Sequence, residues 1–452
     1  MTEPRSAVFY RDLHASYESV VSAEGMYLQT GSGQRILDAV GGAGTVVLGH
    51  GVREITDAVA RHGGELSFVY GATFTNPWQE QLAGALVAMN PQIASRVYFV
   101  SGGSEGNETA VKMARQYHLQ CGRTGRHKVI ARWQSFHGST LATLSLSGRP
   151  AWREPFLPLL SAVPHIVPPY CYRCPLGHSY PGCAVACADD LERMIVMEGP
   201  DSVAAFIAEP VIGTTATAVV PVPGYYRRIR EICDKYDVLF IADEVLTGYG
   251  RTGRWLAIEH WDVQPDIVVL GKGISSGYVP LAAVLAAPRV VDAFEAGSGQ
   301  FSHGFTYSGN PLCTFVGLQV LRYAQQHEIF AEVGAKGEHL HAALSRLAER
   351  HEIVGDVRGL GLYAGLEFVA DRATRQPFPE QAQITHRVAR GARDRGVLVI
   401  PGVPGANYGR GGDHIQLSPP YVISHDEIDL VASVLDDTLT EIEATASRWA
   451  CA

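Results

Sequence analysis

Six short apolar runs, unbroken apart from Lys128 at the start of the second, constrain this chain more than any other feature: 97–100, 128–131, 203–208, 238–242, 267–270 and 281–286. A strand wetted on one face alternates polar and apolar residues, whereas a run apolar at every position is buried on both faces. Helical patterns separate most of these runs. The pattern predicts an α/β fold built on a mainly parallel sheet covered on both sides. The final third changes character, with a strand-like stretch at 356–368 between long helical patterns, which reads as a smaller α+β domain. A length of 452 residues suits one large core and one smaller one. We divide the chain into 1–60, a segment joining the small domain; 61–325, the large domain; and 326–452, the small domain.

The ends of two runs carry the chemistry. Asp243 closes the 238–242 run, and Lys272 follows the 267–270 run, 29 positions later. Open α/β sheets bind ligands at the carboxyl ends of their strands. An acid and an amine placed there are what a chain needs to hold pyridoxal phosphate (PLP), the amine bonding the aldehyde and the acid pairing with the pyridine nitrogen. A lysine at a strand end is ordinarily solvated, and an aspartate after an apolar run is ordinarily a helix cap. Neither residue alone would carry the reading.

Between the 97–100 run and a helical pattern lies Ser101-Gly102-Gly103-Ser104-Glu105-Gly106-Asn107-Glu108. Small residues let a phosphate reach the free amides of a first helical turn, where the helix dipole also favours an anion. An ordinary glycine turn before a helix would look the same. Neither this segment nor Gly271-Lys272-Gly273 has the glycine spacing of a dinucleotide fingerprint or a P-loop.

The formal net charge of -9, without clustered Lys and Arg, argues against a nucleic-acid partner. No stretch of eighteen apolar residues runs unbroken, and Met1-Thr2-Glu3-Pro4-Arg5 lacks the pattern of a secretory signal, so the expected location is cytoplasmic and away from the membrane. Eight cysteines are too few for a disulfide scaffold. Four of them, Cys171, Cys174, Cys183 and Cys187, fall in a C-x2-C, x8, C-x3-C spacing that is loosely zinc-like; a structural zinc or a disulfide is the alternative to plain packing, and no catalytic metal is expected.

The 101–110 string, Phe136-His137-Gly138, Glu209-Pro210, Asp243-Glu244-Val245-Leu246-Thr247-Gly248-Tyr249-Gly250-Arg251-Thr252-Gly253, Gly271-Lys272-Gly273 and Phe305-Thr306-Tyr307-Ser308-Gly309-Asn310-Pro311 occur in that order. Together they resemble the class III pyridoxal-phosphate aminotransferases, from about 38 to 421. The resemblance implies fold type I, with a seven-stranded sheet, and a homodimer whose active sites lie at the interface, or a tetramer of such chains. It implies that Lys272 bonds the cofactor and moves the proton, and that Asp243 pairs with the ring nitrogen. Phe136 would stack on the ring and Val245 press on its other face. Gly103 and Ser104 would seat the phosphate, and Thr306 would reach it from the neighbouring subunit. Glu209 and His137 would stand beside the cofactor, Glu209 positioning its neighbours.

The implied reaction is ping-pong transfer of an amino group from an amine or omega-amino acid to an oxo acid such as pyruvate or 2-oxoglutarate, through pyridoxamine phosphate. Leu246, where relatives acting on ornithine or 4-aminobutyrate commonly have glutamine, leans toward the omega-amino-acid and amine:pyruvate branch. Arg410 lies near that branch's mobile arginine, which would grip a carboxylate. Gly44 is expected to face a roomy pocket, with Trp78, Tyr70 and Phe74 as walls. A racemase, aminomutase or decarboxylase on the same scaffold, or a cofactor-loaded module without turnover, are the other readings.

Overall fold

The computed structural model describes residues 6–446; positions 1–5 and 447–452, and with them the reading of the first five residues, lie outside the described residues. All six apolar runs form strands of one seven-stranded sheet. In chain order they are β1 (Arg96–Val100), β2 (Lys128–Arg132), β3 (His165–Ile166), β4 (Val203–Ala208), β5 (Leu239–Asp243), β6 (Ile267–Leu270) and β7 (Ala282–Ala286). Across the sheet they run β1-β7-β6-β5-β4-β2-β3. The strand without an apolar run is β3, whose two residues are too few to show a period. Neighbours from β3 to β6 are parallel, whereas β7 is antiparallel to both β6 and β1. The segment between β6 and β7 holds one short 3-10 turn, Lys272–Ser275, and no crossover helix, so the chain can only turn back.

Every residue of β4, β5, β6 and β7 is buried. Alternation along each strand decides which face a side chain meets. Ala205, Ile207, Leu239 and Ile241 pack with Ala110, Met113 and Ala114 of the helix Gly103–Gln120. Phe206 and Phe240 point the other way, toward Tyr226, Ile229 and Ile232 of the helix Tyr225–Tyr236. That helix buries positions 225, 226, 229, 232 and 233, one continuous stripe at helical spacing. Its Tyr226 ring stacks on Phe240 at 5.8 Å. Each fully buried aromatic here contributes roughly 2–3 kcal/mol.

The stretch 356–368 is two antiparallel strands, Val354–Leu360 and Tyr363–Phe368, and not one. The turn falls at Gly361, whose φ is +55 and where a Cβ would come within 2.5 Å of Thr252 backbone. Asp413–Leu417 and Ile400–Pro401 complete that sheet. The N-terminal strands Val20–Glu24, Tyr27–Thr30 and Arg35–Asp38 form a third sheet, in which Val397–Leu398 runs parallel to Arg35–Asp38. The chain's beginning and its last third therefore share backbone hydrogen bonds. Among the described residues no helix is long and apolar enough to cross a membrane.

Candidate active site

The carboxyl ends of β5 and β6 open onto a cavity of about 520 Å³. Its wall brings together Lys272, Asp243, Gly103, Ser104, Phe136, His137, Glu209 and Val245, all anticipated from the motifs. Asp243 is the last residue of β5 and is 4% exposed. Its Oδ2 accepts a hydrogen bond from Asn107 Nδ2 at 2.8 Å and lies 2.7 Å from His137 Nδ1. The Val245 amide donates to Oδ1 at 3.2 Å. Asn107 Nδ2 also donates to the His137 carbonyl at 2.7 Å, locking the two together. Three donors hold the carboxylate in one orientation, and charge-assisted bonds of this kind are the stronger ones.

Lys272 begins the 3-10 turn after β6 with φ +43, a left-handed conformation costly for a residue with a Cβ. Removal from bulk water pulls its amine down, while Asp243 and then Glu209 pull it up. Glu209 leaves the end of β4. Its Oε2 accepts from the Phe136 amide at 3.2 Å and its Oε1 from the Gly213 amide at 2.9 Å. Burial pushes this carboxyl up to about 7; His137 pulls it back and Asp243 pushes it further up. Through the Phe136 amide Glu209 ties the Phe136 backbone to the end of β4.

The helix Gly103–Gln120 starts without a side-chain cap, and Gly102, Gly103 and Ser104 all line the cavity. Its free first-turn amides are a seat for an anion. A Cβ at Gly103 would meet Val245 Cγ1 at 2.9 Å, so only glycine lets Val245 form the cavity floor. Gly138 is tighter. It has φ +141, and a Cβ there would lie 2.5 Å from both Ser104 Oγ and Thr143 Oγ1. Gly138→Ala is expected to lose about 1–3 kcal/mol, read as a lower denaturation midpoint of the cofactor-free protein; an unchanged midpoint would mean the loop gives way without cost.

Other expected residues lie apart from this wall. Thr306 is exposed and outside the cavity of its own chain. Arg410 is exposed on the loop after β-strand Ile400–Pro401, also off the wall. Trp78, in the first turn of helix Pro77–Met89, is half-buried against the core and packs on Phe315 with ring centroids 4.9 Å apart. Tyr70 and Phe74 are 67% and 63% exposed and do not line the cavity. Gly44 is buried behind Leu246, while its neighbours Ala43 and Thr45 reach the cavity. Cys171, Cys174, Cys183 and Cys187 are unpaired thiols around a void of only about 20 Å³. Among the described residues no group of three or more His, Cys, Asp or Glu side chains stands so as to hold a metal ion.

Sequence motifs did not single out Asn107, Arg149, Trp152, Ser139 or Arg11, which the fold adds to the site or its edge. Asn107 had a signal: it sits one helical turn after Gly103, on the same face. Arg149 and Trp152 had none, because nothing in their spacing relates them to Phe136.

A carboxylate fixed by three donors, an amine in the same cavity and uncapped helix amides form the donor set that PLP requires. The family model described as aminotransferase class-III matches residues 10–439. The chain is 41% identical to the uncharacterized aminotransferase YodT of Bacillus subtilis, over 97% of this chain and 98% of that one. It is 36% identical to a putrescine–pyruvate aminotransferase of Pseudomonas aeruginosa, covering 96% and 94%. An amine transaminase from an uncultivated Pseudomonas species, solved in its PLP-bound form, superposes with TM-score 0.90 at 35% identity, covering 97% and 100%. An (S)-enantioselective omega-transaminase from Thermomicrobium roseum gives TM-score 0.88 at 35% identity, covering 94% and 93%. With the fold type I sheet and this cavity on the same chain, the protein belongs to the class-III aminotransferases, transferases that work with pyridoxal phosphate.

Proposed function

We propose that this aminotransferase takes its amino group from a terminal amine, as in a diamine or an omega-amino acid, and passes it to a small oxo acid. The supporting observation is the wall around Lys272: Ala43, Val211, Leu246, Phe136, Trp152 and Leu281 form an aliphatic and aromatic lining that suits a methylene chain. The relatives that act on putrescine and pyruvate, and the omega-transaminases among the solved structures, agree with that lining.

When bound, PLP supplies an aldehyde to take the amine and a ring that withdraws electrons from the carbon losing its proton. The chain supplies the rest. Lys272 Nζ, poised by desolvation, would accept the proton from that carbon and deliver it to the cofactor's aldehyde carbon, so that the amino group stays with the cofactor. Asp243, held by Asn107, His137 and the Val245 amide, would pair its negative charge with the ring nitrogen. Phe136 and Val245 would hold the ring between them, with the Phe136 amide held by Glu209 Oε2. Gly103 and Ser104, at the uncapped helix start, would take the phosphate.

The same reading gives a homodimer acting in the cytoplasm, with Thr306 of each chain completing the other's phosphate seat. Thr306 lies off its own cavity, beside an exposed aromatic group in which Phe68 and Tyr307 rings meet at 6.2 Å. Tyr70, Phe74 and Tyr307 are each more than 60% exposed, a cluster suited to burial against a second copy.

The test is the visible spectrum of the holoenzyme with putrescine, 4-aminobutyrate, beta-alanine or alpha-amino acids added one at a time without acceptor. Terminal amines should bleach the bound-cofactor band, and pyruvate should restore it. If alpha-amino acids alone bleach it, the terminal-amine assignment is wrong.

A further inference from the structure

Arg149 is the anomaly of this cavity. Five arginines are buried among the described residues, Arg126, Arg132, Arg149, Arg251 and Arg358. Four of them spend their guanidinium on named partners. Arg126 donates to the Val203, Tyr236 and Asp237 carbonyls, and Arg132 to Glu209 O and Tyr226. Arg251 donates to the Leu362 and Pro419 carbonyls, and Arg358 to Asp356 and Glu367. Arg149 is 3% exposed, yet among the described residues its guanidinium makes no hydrogen bond and no ion pair, and its Nε is buried without a partner. A buried charge left unpaired costs several kcal/mol, so such a group persists where something else supplies the counter-charge.

The side chain is aimed into the site and held there. Arg149 precedes Pro150, which keeps its backbone extended (φ -112, ψ 92) at the start of the short helix Pro150–Arg153. Its guanidinium lies over the Trp152 ring, 3.9 Å from the centroid. Trp152 in turn meets Phe136 edge to face at 5.4 Å. This stack runs along the wall that Phe136 shares with Lys272, and Arg149 and Trp152 both line the cavity. Arg11, also on the lining and 5.8 Å from the Trp152 centroid, adds a second positive charge and no negative one. Burial, and then Arg11, pull the Arg149 guanidinium down to about 10, so it remains charged at neutral pH. A planar fork with its donors free, stacked so that it cannot swing, matches a carboxylate bidentately.

We propose that Arg149 is the residue that binds the carboxylate of the oxo acid acceptor, with Trp152 holding its guanidinium in place. The assignment rests on the aminotransferase reading of the cavity and deepens it: the acceptor must carry an anionic group beside the carbon that reacts at Lys272, as an oxo acid does. Arg410, exposed and off the wall, is not needed for this contact.

The experiment uses holoenzyme with Arg149→Met, which keeps an unbranched apolar side chain beside Trp152 and removes the charge, and Arg149→Lys, which keeps the charge and loses the fork. Steady-state kinetics compare pyruvate with propanal, a carbonyl acceptor without a carboxylate. Calorimetry measures binding of glutarate, an acid that cannot be aminated. In Arg149→Met the ratio of kcat/KM for pyruvate to that for propanal should fall on the order of 10- to 100-fold, chiefly through KM, as expected for loss of a hydrogen-bonded charge. Arg149→Lys should fall between, and glutarate binding should weaken by a similar factor. Equal losses on pyruvate and propanal, or glutarate bound as tightly by Arg149→Met, would overturn the proposal. A selective loss in Arg410→Ala without one in Arg149→Met would also overturn it and move the contact to Arg410. If the native enzyme binds glutarate through Arg149 but aminates neither acceptor, the anion site stands and the aminotransferase reading fails.

Discussion

Replacing Lys272 by alanine should lower kcat by at least roughly ten-thousand-fold, because one side chain both bonds the cofactor and carries the proton, and positioned proton transfer by itself accounts for up to that factor. Lys272 opens the turn after β6 with a left-handed φ and faces the cavity that also holds Asp243 and Glu209. Among the described residues no other lysine lines that cavity. The variant should fold normally, since alanine removes a long side chain from an open cavity and leaves no unpaired partner in the core. Two measurements check it: single-turnover kinetics with putrescine and pyruvate, and the visible band of the native protein, which should be absent from the variant. Retention of either turnover or that band would remove Lys272 from its assigned role.

Asp243→Asn should produce the second largest effect, a loss of roughly 100- to 1,000-fold in kcat, comparable to removing one preorganised charged contact from an active site. The reason is visible in the donors around it. Oδ2 faces Asn107 Nδ2 and the His137 ring, and Oδ1 faces the Val245 amide. Whichever way an asparagine turns, its own NH2 group points at a donor. The variant therefore loses the negative charge and also carries a buried mismatch costing about 1–3 kcal/mol. Its unfolding midpoint in urea should drop along with kcat. A variant with native stability and near-native kcat would show that the charge does not act on the ring.

The strands and the two charged residues at their ends were legible because both are local properties. A run apolar at every position, such as 203–208 or 267–270, has no face to give to water, and a residue that directly follows it must emerge at the strand's end. Lys272 and Asp243 were placed in that way before any contact was known. Direction was less legible: β7 is as apolar as its neighbours, yet runs antiparallel because the segment before it is too short for a crossover. The hairpin at Gly361 was also hidden, since glycine inside an apolar stretch does not say whether the strand continues or turns.

The substrate side of the cavity shows the sharper limit. Arg410 is suggested by its place near the mobile arginine of the resembled branch and is exposed, while Arg149, twelve residues past His137 in an unremarkable stretch, stands buried and, among the described residues, unpaired on the wall. Loop position is a weak guide because an arginine's long side chain reaches several ångströms in any direction, and only its surroundings say which. By itself the sequence determined a doubly covered α/β sheet, an amine and an acid at its carboxyl edge, and a glycine-rich helix start beside them, because each follows from the period of a short segment. Tertiary structure alone decided that His137 and Asn107, 106 and 136 positions from Asp243, hold its carboxylate, and that Arg149 is stacked and free of partners. Those contacts depend on how helices seat against the sheet, and side-chain packing over such separations leaves no periodic mark along the chain.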